Sequence, residues 1–366
     1  MMSQSGEFFR NLLKFLFLPG TLQKQKLKLA VFRLDELGDF CLFLPYAASL
    51  RRVFPEAHLT LIGNAAWMEL ARSMLDFDAY VPVRTREFMF DWNCRTALLK
   101  SLQQEHFSCT LNPRISRYLF LDDLMQLACR APKNISFAYA PQQAYHWKIG
   151  LLQKLLNHLP HFQLVQHTKV HELENLHSFW QTAVPGGAVS TDYRRPVPLV
   201  RERPYVLLAP EAGKAFRSWP LENFLFVGHR IAGQTGLECI LCGTTPGECG
   251  NLTDLRGRTT LTKLASLIAG ARLVIGNDSG PVHMAAVLGI PSIALVGGGG
   301  YGRFFPYPAH LSPGVVAPLT IHGELCGKGN CNWQCRRNPE PEELRHCVAT
   351  IDREQVLASA LTLLNR

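Results

Sequence analysis

The chain alternates short, unbroken apolar runs with longer stretches of helical period. That is the pattern of strands buried on both faces of a parallel sheet and of the helices that cross between them. The clearest instance is 272–297, RLVIGNDSGPVHMAAVLGIPSIALVG. Leu273–Ile275 predicts a strand, Asn277–Gly280 a tight polar turn, and Val282–Leu288 a helix with Pro281 at its first position. Gly289 and Pro291 end the helix, and Ser292–Val296 predicts the next strand. The amide hydrogens of such a helix start point outward from the sheet end and suit a diphosphate. Asp278, Ser279, Gly280 and His283 decorate this turn. Ser279 can cap the helix or donate to phosphate, His283 can donate to a phosphate or sugar oxygen, and Asp278 serves equally as an ordinary cap.

The same alternation runs through the rest. Leu27–Arg33 predicts a strand, Leu34–Asp39 a loop, and Phe40–Val53 a helix containing Pro45. Pro55–Ile62 leads into a second strand, and Ala79–Val83 reads as a third. Trp92–Gln104 is helical and Phe107–Leu111 a strand. Ile115–Cys129 is expected as a helix, Ile135–Tyr139 as a strand, and Leu151–Trp180 as mostly helical. The Pro-, Gly- and Arg-rich stretch 184–204 marks a linker. From Tyr205–Ala209 the alternation restarts. The expected division is an N-terminal amphipathic extension over 1–26, a first Rossmann-like domain over 27–183, the linker over 184–204, and a second Rossmann-like domain over 205–366. The fold class is α/β, with two doubly wound Rossmann-like domains facing a cleft.

Composition narrows the partners. At 366 residues, 47% hydrophobic and 18% charged, the chain is globular and long enough for two cores. Its formal charge of +9 favours an anionic partner. No Lys/Arg run is interleaved with aromatics, so nucleic acid is not expected. Eleven Cys in so long a chain do not form a secreted disulfide scaffold. Phe8–Leu18 is apolar but too short to span a bilayer, and suits either an interfacial helix or an ordinary packed one.

Candidate chemistry falls at the predicted strand ends. Asp39 could take a proton from a hydroxyl or cap the following helix; Asp35 and Glu36 compete for the role. Gly213, Lys214 and Arg217 form a positive turn after Tyr205–Ala209, suited to a departing diphosphate or simply a basic loop. The turn from Gly243 to Glu248 could contact a base or ribose. Gly297–Gly300 either lets backbone approach phosphate or is a mobile loop. Arg33, Arg114 and Arg117 could pocket a phosphorylated acceptor or be solvated surface cations. Cys326, Cys331, Cys335 and Cys347 could bind zinc, although buried or redox-linked thiols are the favoured reading. Cys239 and Cys242 read as core. Asp76-Phe77-Asp78 reads as a polar loop, and Asp122 and Asp123 as helix-surface acids.

These segments resemble glycosyltransferase family 9, the bacterial heptosyltransferase family, from about Leu27 to the C-terminus. Arg33–Asp39 with Leu44-Pro45 and 50–55 (LRRVFP) resembles its opening motif. Asn277–Gly297 resembles its nucleotide-diphosphate motif, Arg217-Ser218-Trp219-Pro220 a segment that usually carries Lys, and Cys347-Val348 with Ile351 its C-terminal segment. The resemblance implies a GT-B fold with Asp39 as general base and Arg217 at the departing diphosphate. Asp278, Ser279, Gly280 and His283, with Lys214 and Glu248, would bind a nucleotide-diphosphate sugar, ADP-heptose being favoured. The acceptor would be lipopolysaccharide or a related anionic glycolipid, with inversion and without a metal. The cytoplasm, or the cytoplasmic face of the inner membrane, would be its place. A nucleotide-sugar epimerase of the same fold, or a non-catalytic nucleotide-sugar-binding homologue, stands as the alternative.

Overall fold

The computed structural model describes residues 26–138, 147–166, 168–311, 315–327, 329, 331, 333, 335 and 344–365. The expected interfacial segment Phe8–Leu18 lies outside them. The chain forms two compact units. The first runs to Asp35 and adds Tyr46–Thr168 and Leu176–Ala188; the second takes Glu36–Pro45, Lys169–Asn175 and the chain from Val189.

The first unit is built on β1 (Lys28–Arg33), β2 (His58–Asn64), β3 (Ala79–Val83), β4 (Cys109–Asn112), β5 (Lys133–Phe137) and β6 (Phe162–Val165), in the order β3-β2-β1-β4-β5-β6. Every pairing is parallel. The connecting helices are α1 (Leu37–Val53), α2 (Met68–Met74), α3 (Thr85–Phe90), α4 (Trp92–Gln104), α5 (Leu124–Ala128), α6 (Trp147–His158) and α7 (Glu172–Ala183), of which the first part of α1, to Pro45, and of α7, to Asn175, belongs to the second unit. Phe32, Ile62, Phe88, Leu102, Phe107 and Met125 form the heart of one core.

The second unit repeats this topology. Its strands are β7 (Tyr205–Ala209), β8 (Glu238–Leu241), β9 (Thr253–Asp254), β10 (Leu273–Asn277), β11 (Ser292–Leu295) and β12 (Leu319–Ile321), all parallel, in the order β12-β11-β10-β7-β8-β9. Around them run α8 (Leu221–Thr235), α9 (Leu261–Gly270), α10 (Gly280–Leu288), α11 (His346–Ala349) and α12 (Arg353–Leu364). Val206, Leu208, Trp219, Phe224, Ile275 and Ile293 are buried together. In each sheet two neighbouring central strands send their connections in opposite directions, which opens a crevice at their carboxyl ends.

Several expectations need correction. Leu151–Trp180 is not one helical stretch, because β6 interrupts it. Its alternation, Phe162 and Val165 buried with Gln163 exposed, is too short to stand out from the helices around it. Within Ile115–Cys129 the chain forms a wide helical turn over Leu119–Asp123 before α5. Asp122 and Asp123 are fully buried rather than on a helix surface. Asp122 receives Arg114 at 2.8 Å, and Asp123 receives Arg117 at 2.6 Å. Burial pushes the Asp122 carboxyl up to about 6, against the pull of Arg114 and the Tyr118 N–H.

Removing one partner of a buried pair strands the other charge. The variant Arg117→Met is therefore expected to lose about 3–5 kcal/mol in urea denaturation. A stability equal to the parent's would mean that this arginine is not held by Asp123.

Candidate active site

The crevice of the second sheet lies between β7 and β10, where Ala209 and Gly276 are register partners. The buried Asn277 side chain ties the two strand ends together. Its Oδ1 accepts from the Trp219 N–H at 2.9 Å, and its Nδ2 donates to the Pro210 carbonyl at 2.7 Å. Trp219 in turn donates its indole N–H to the Ile351 carbonyl at 3.1 Å. The loop Pro210–Trp219, which carries Lys214 and Arg217, is thereby anchored at both ends beside the start of α10.

The start of α10 is left uncapped. Ser279 is its N-cap residue, yet the hydroxyl makes no capping bond and donates instead to the Asn277 carbonyl at 3.2 Å. Pro281 has no N–H to offer. The amides of Ser279 and Gly280 find no acceptor among the described residues. Asp278 does not cap either. Its Oδ1 lies 3.7 Å from His283 Nε2, and its Oδ2 lies so near Gly300 that a Cβ there would come within 2.0 Å.

His283 is buried, and its Nδ1 is 2.5 Å from the Tyr307 hydroxyl. Its ring stacks on Phe305 at 4.8 Å. Tyr307 is itself enclosed, and burial holds its hydroxyl far above the usual phenol range, so it stays protonated. A protonated hydroxyl can donate to Nδ1 of a neutral His283. The other ring nitrogen, Nε2, then carries the proton and faces Asp278.

A second helix start meets the first. α1 begins at Leu37, not Phe40, so Asp39 sits in the first helical turn rather than at the end of a loop. A Cβ on Gly38 would come within 2.9 Å of His283 Cδ2, and a Cβ on Gly280 within 2.7 Å of Leu37 Cδ2. Two glycines thus let the amino ends of α1 and α10 touch. Both are positive dipole ends, and both favour an anion nearby.

Arg217 lies close enough for its charge to feel Asp278 and Asp39. Burial pulls its pKa down, the two carboxylates oppose that, and neighbouring Arg303 adds to it. Its Nε is buried without a hydrogen-bond acceptor among the described residues. Its guanidinium rests over the rings of Trp333, at 5.1 Å, and Phe216, at 5.6 Å. Arg303 is held by Glu172 at 2.7 Å.

Asp39, Arg217, Asp278, Ser279, Gly280 and His283 are therefore assembled in one unit. Lys214 is on the same loop and exposed. Glu248 also has an exposed side chain, while its carbonyl accepts from Arg256 at 2.7 Å. Glu211 was not singled out in the sequence. Its carboxylate accepts from the Thr244 and Thr245 N–H groups, each at 2.7 Å, and so joins the loops after β7 and β8. Burial raises its pKa, but the Thr244 and Thr245 hydrogen bonds outweigh that and hold it below the usual range. Gly297–Gly300 is buried and packed, not a mobile loop.

The crevice of the first sheet, between β1 and β4, gathers Arg33 and Arg114. Arg33 is 2.9 Å from Asp35 and donates to the Pro113 carbonyl at 3.0 Å; Arg114 is 4.0 Å from Asp35. Arg117 does not join them as a surface cation. Its side chain is wholly buried against Asp123.

The Asp76–Asp78 loop and the Cys239 and Cys242 thiols are built into the fold. Asp78 accepts from Arg51 at 2.6 Å and from the Leu59 N–H at 2.7 Å, which fits a polar loop. Cys239 and Cys242 are buried, and burial pushes both thiols up to about 12. Burial likewise raises Cys331 and Cys347. Among the described residues no group of three or more His, Cys, Asp or Glu is placed to hold a metal ion, the C-terminal Cys cluster included. No helix among them is long and apolar enough to cross a membrane.

Comparison with known proteins bears on the fold and the family. The family described as Glycosyltransferase family 9 (heptosyltransferase) matches residues 158–312, which contain Arg217 and the whole α10 turn. The lipopolysaccharide core heptosyltransferase OpsX of Haemophilus influenzae is 24% identical over 285 residues, 73% of this chain and 78% of that protein. A family 9 glycosyl transferase from Veillonella parvula superposes with a TM-score of 0.68 at 16% identity, covering 94% of this chain and 99% of that one. The E. coli heptosyltransferase WaaC, solved with ADP, gives 0.64 at 13% identity, covering 92% and 100%. These relatives transfer sugars, and the epimerase alternative is not favoured. With its two parallel six-stranded sheets of GT-B type, the chain is similar to glycosyltransferase family 9, the heptosyltransferase family, whose model matches residues 158–312.

Proposed function

We propose that the enzyme transfers a heptosyl group from ADP-heptose to a lipopolysaccharide core or related anionic glycolipid, with inversion at the anomeric carbon. The observation that carries this reading is the meeting of two helix amino ends beside Arg217. The open amides of Ser279 and Gly280 and the unpaired Arg217 Nε together make a site for a diphosphate. ADP is the natural choice, since the E. coli relative was solved with it.

In this mechanism Asp39 accepts the proton of the acceptor hydroxyl. Its place in a first helical turn sets the carboxylate beside the amino end of α1. The hydroxyl oxygen bonds to the anomeric carbon as the bond from that carbon to the diphosphate oxygen breaks. The charge left on the diphosphate meets the α10 amides, the Arg217 guanidinium and the His283 Nε2–H, all set in place before the reaction. Asp278 orients His283 and faces the sugar. Lys214 adds charge at the outer phosphate, and Glu248 contacts the nucleoside. These protein groups supply the neutralisation, and the mechanism runs without a metal. Arg33 and Arg114 hold anionic groups of the acceptor. The charge of +9 suits an enzyme at the cytoplasmic face of an anionic membrane.

Replacing Asp39 with Asn is expected to leave ADP binding intact and to lower turnover by about 10²- to 10⁴-fold. Unchanged turnover would remove Asp39 from the base role. In a thermal-shift series, ADP is expected to raise Tm more than GDP, UDP or dTDP; equal shifts would remove the adenine assignment. Nitrogen NMR of His283 is expected to show the proton on Nε2. In Tyr307→Phe that preference weakens, and stability falls by about 1–3 kcal/mol. A proton on Nδ1 of the parent would contradict the role given to Tyr307.

A further inference from the structure

The cysteine-rich stretch after β12 has no part in the mechanism above, yet it delivers one side chain to the donor site. Trp333 lies against the loop after β11. A Cβ on Gly299 would come within 2.4 Å of the indole, and one on Gly297 within 2.6 Å. Both glycines are therefore required for the ring to rest on that backbone. Trp333 also holds a left-handed backbone, with φ of 63°. A bulky residue keeps that conformation only when its surroundings impose it.

The surroundings are plain. The Cys331 N–H donates to the Gly298 carbonyl at 3.2 Å, and the Gly298 N–H donates to Cys347 Sγ at 3.2 Å. The indole packs on Phe216 with ring centroids 5.6 Å apart. Phe216 is clasped by Arg345, whose backbone N–H donates to its carbonyl at 3.1 Å and whose guanidinium covers its ring at 4.7 Å. Arg217 lies over both aromatic rings.

No carboxylate forms an ion pair with Arg217 among the described residues. Stacking fixes the plane of a guanidinium without consuming any of its N–H donors. A salt bridge in the same place would consume two of them. The geometry points to Trp333 as a positioning residue: the cysteine-rich segment clamps its indole on the Gly297–Gly299 backbone so that its face holds Arg217 in the orientation that receives the departing diphosphate. The inference rests on the diphosphate site proposed above. It also accounts for an arginine at this position, because an ammonium has no plane to align.

The test is a double-mutant cycle read by calorimetric titration of ADP, with inorganic pyrophosphate as a probe lacking the nucleoside. Trp333→Leu keeps an apolar contact on the glycines but has no aromatic face; Trp333→Phe restores a face. The Leu variant is expected to bind ADP and pyrophosphate roughly 3- to 30-fold more weakly, the range expected for loss of a cation–aromatic contact. The Phe variant is expected to recover most of that loss. In an Arg217→Ala background, Trp333→Leu is expected to add no further weakening. Additive losses, or parental affinity in the Leu variant, would overturn the positioning role while leaving the diphosphate site standing. Failure of Arg217→Ala to weaken either probe would overturn the site and this inference together. Melting curves accompany each variant. If the Leu protein does not fold, Trp333→Met, which also lacks an aromatic face, carries the cycle, and additivity in it overturns the proposal equally.

Discussion

Two helix amino ends touch in this protein because two residues lack side chains. Gly38 lets the first turn of α1 reach the edge of His283, and Gly280 lets the first turn of α10 reach Leu37. Two positive dipole ends brought together repel each other. Arg217 and Arg303 add further positive charge. Asp278 and Asp39 offset part of it. A diphosphate at the proposed site would offset the rest. Larger side chains at either glycine would push the two helix starts apart and dissolve the arrangement.

The polar groups around this point are held by second partners rather than by each other. Asn277 spans the ends of the Pro210–Trp219 loop, and Tyr307 sets the proton on His283. Glu172 holds Arg303. Such preorganisation costs no rearrangement when charge develops on a leaving group. It explains how the site can stabilise a diphosphate with amides, one guanidinium and one imidazole.

The sheets were legible in the sequence because parallel strands buried on both faces read as apolar runs, as in Leu273–Ile275 and Tyr205–Ala209. The α10 turn was legible because Pro281 and Gly289 punctuate it. Short edge strands were not: Thr253–Asp254 has two residues, and Phe162–Val165 sits among helices. The pairing of Arg117 with Asp123 was also hidden, since a buried ion pair has the composition of a solvated surface. Asp39 was found by its neighbours in the motif, but its helical position was missed. Gly38 at the second position of a helix reads as a loop residue until its contact with His283 is seen. Glu211 and Tyr307 carried no motif, because their partners are distant in the chain.

The most direct measurement is a crystal structure of the enzyme with ADP bound. The account predicts the diphosphate within about 3 Å of the Ser279 and Gly280 amide nitrogens, with the Arg217 guanidinium donating to it and Asp39 facing the open side of the terminal phosphate. A diphosphate bound elsewhere, with those amides turned to solvent, would contradict it.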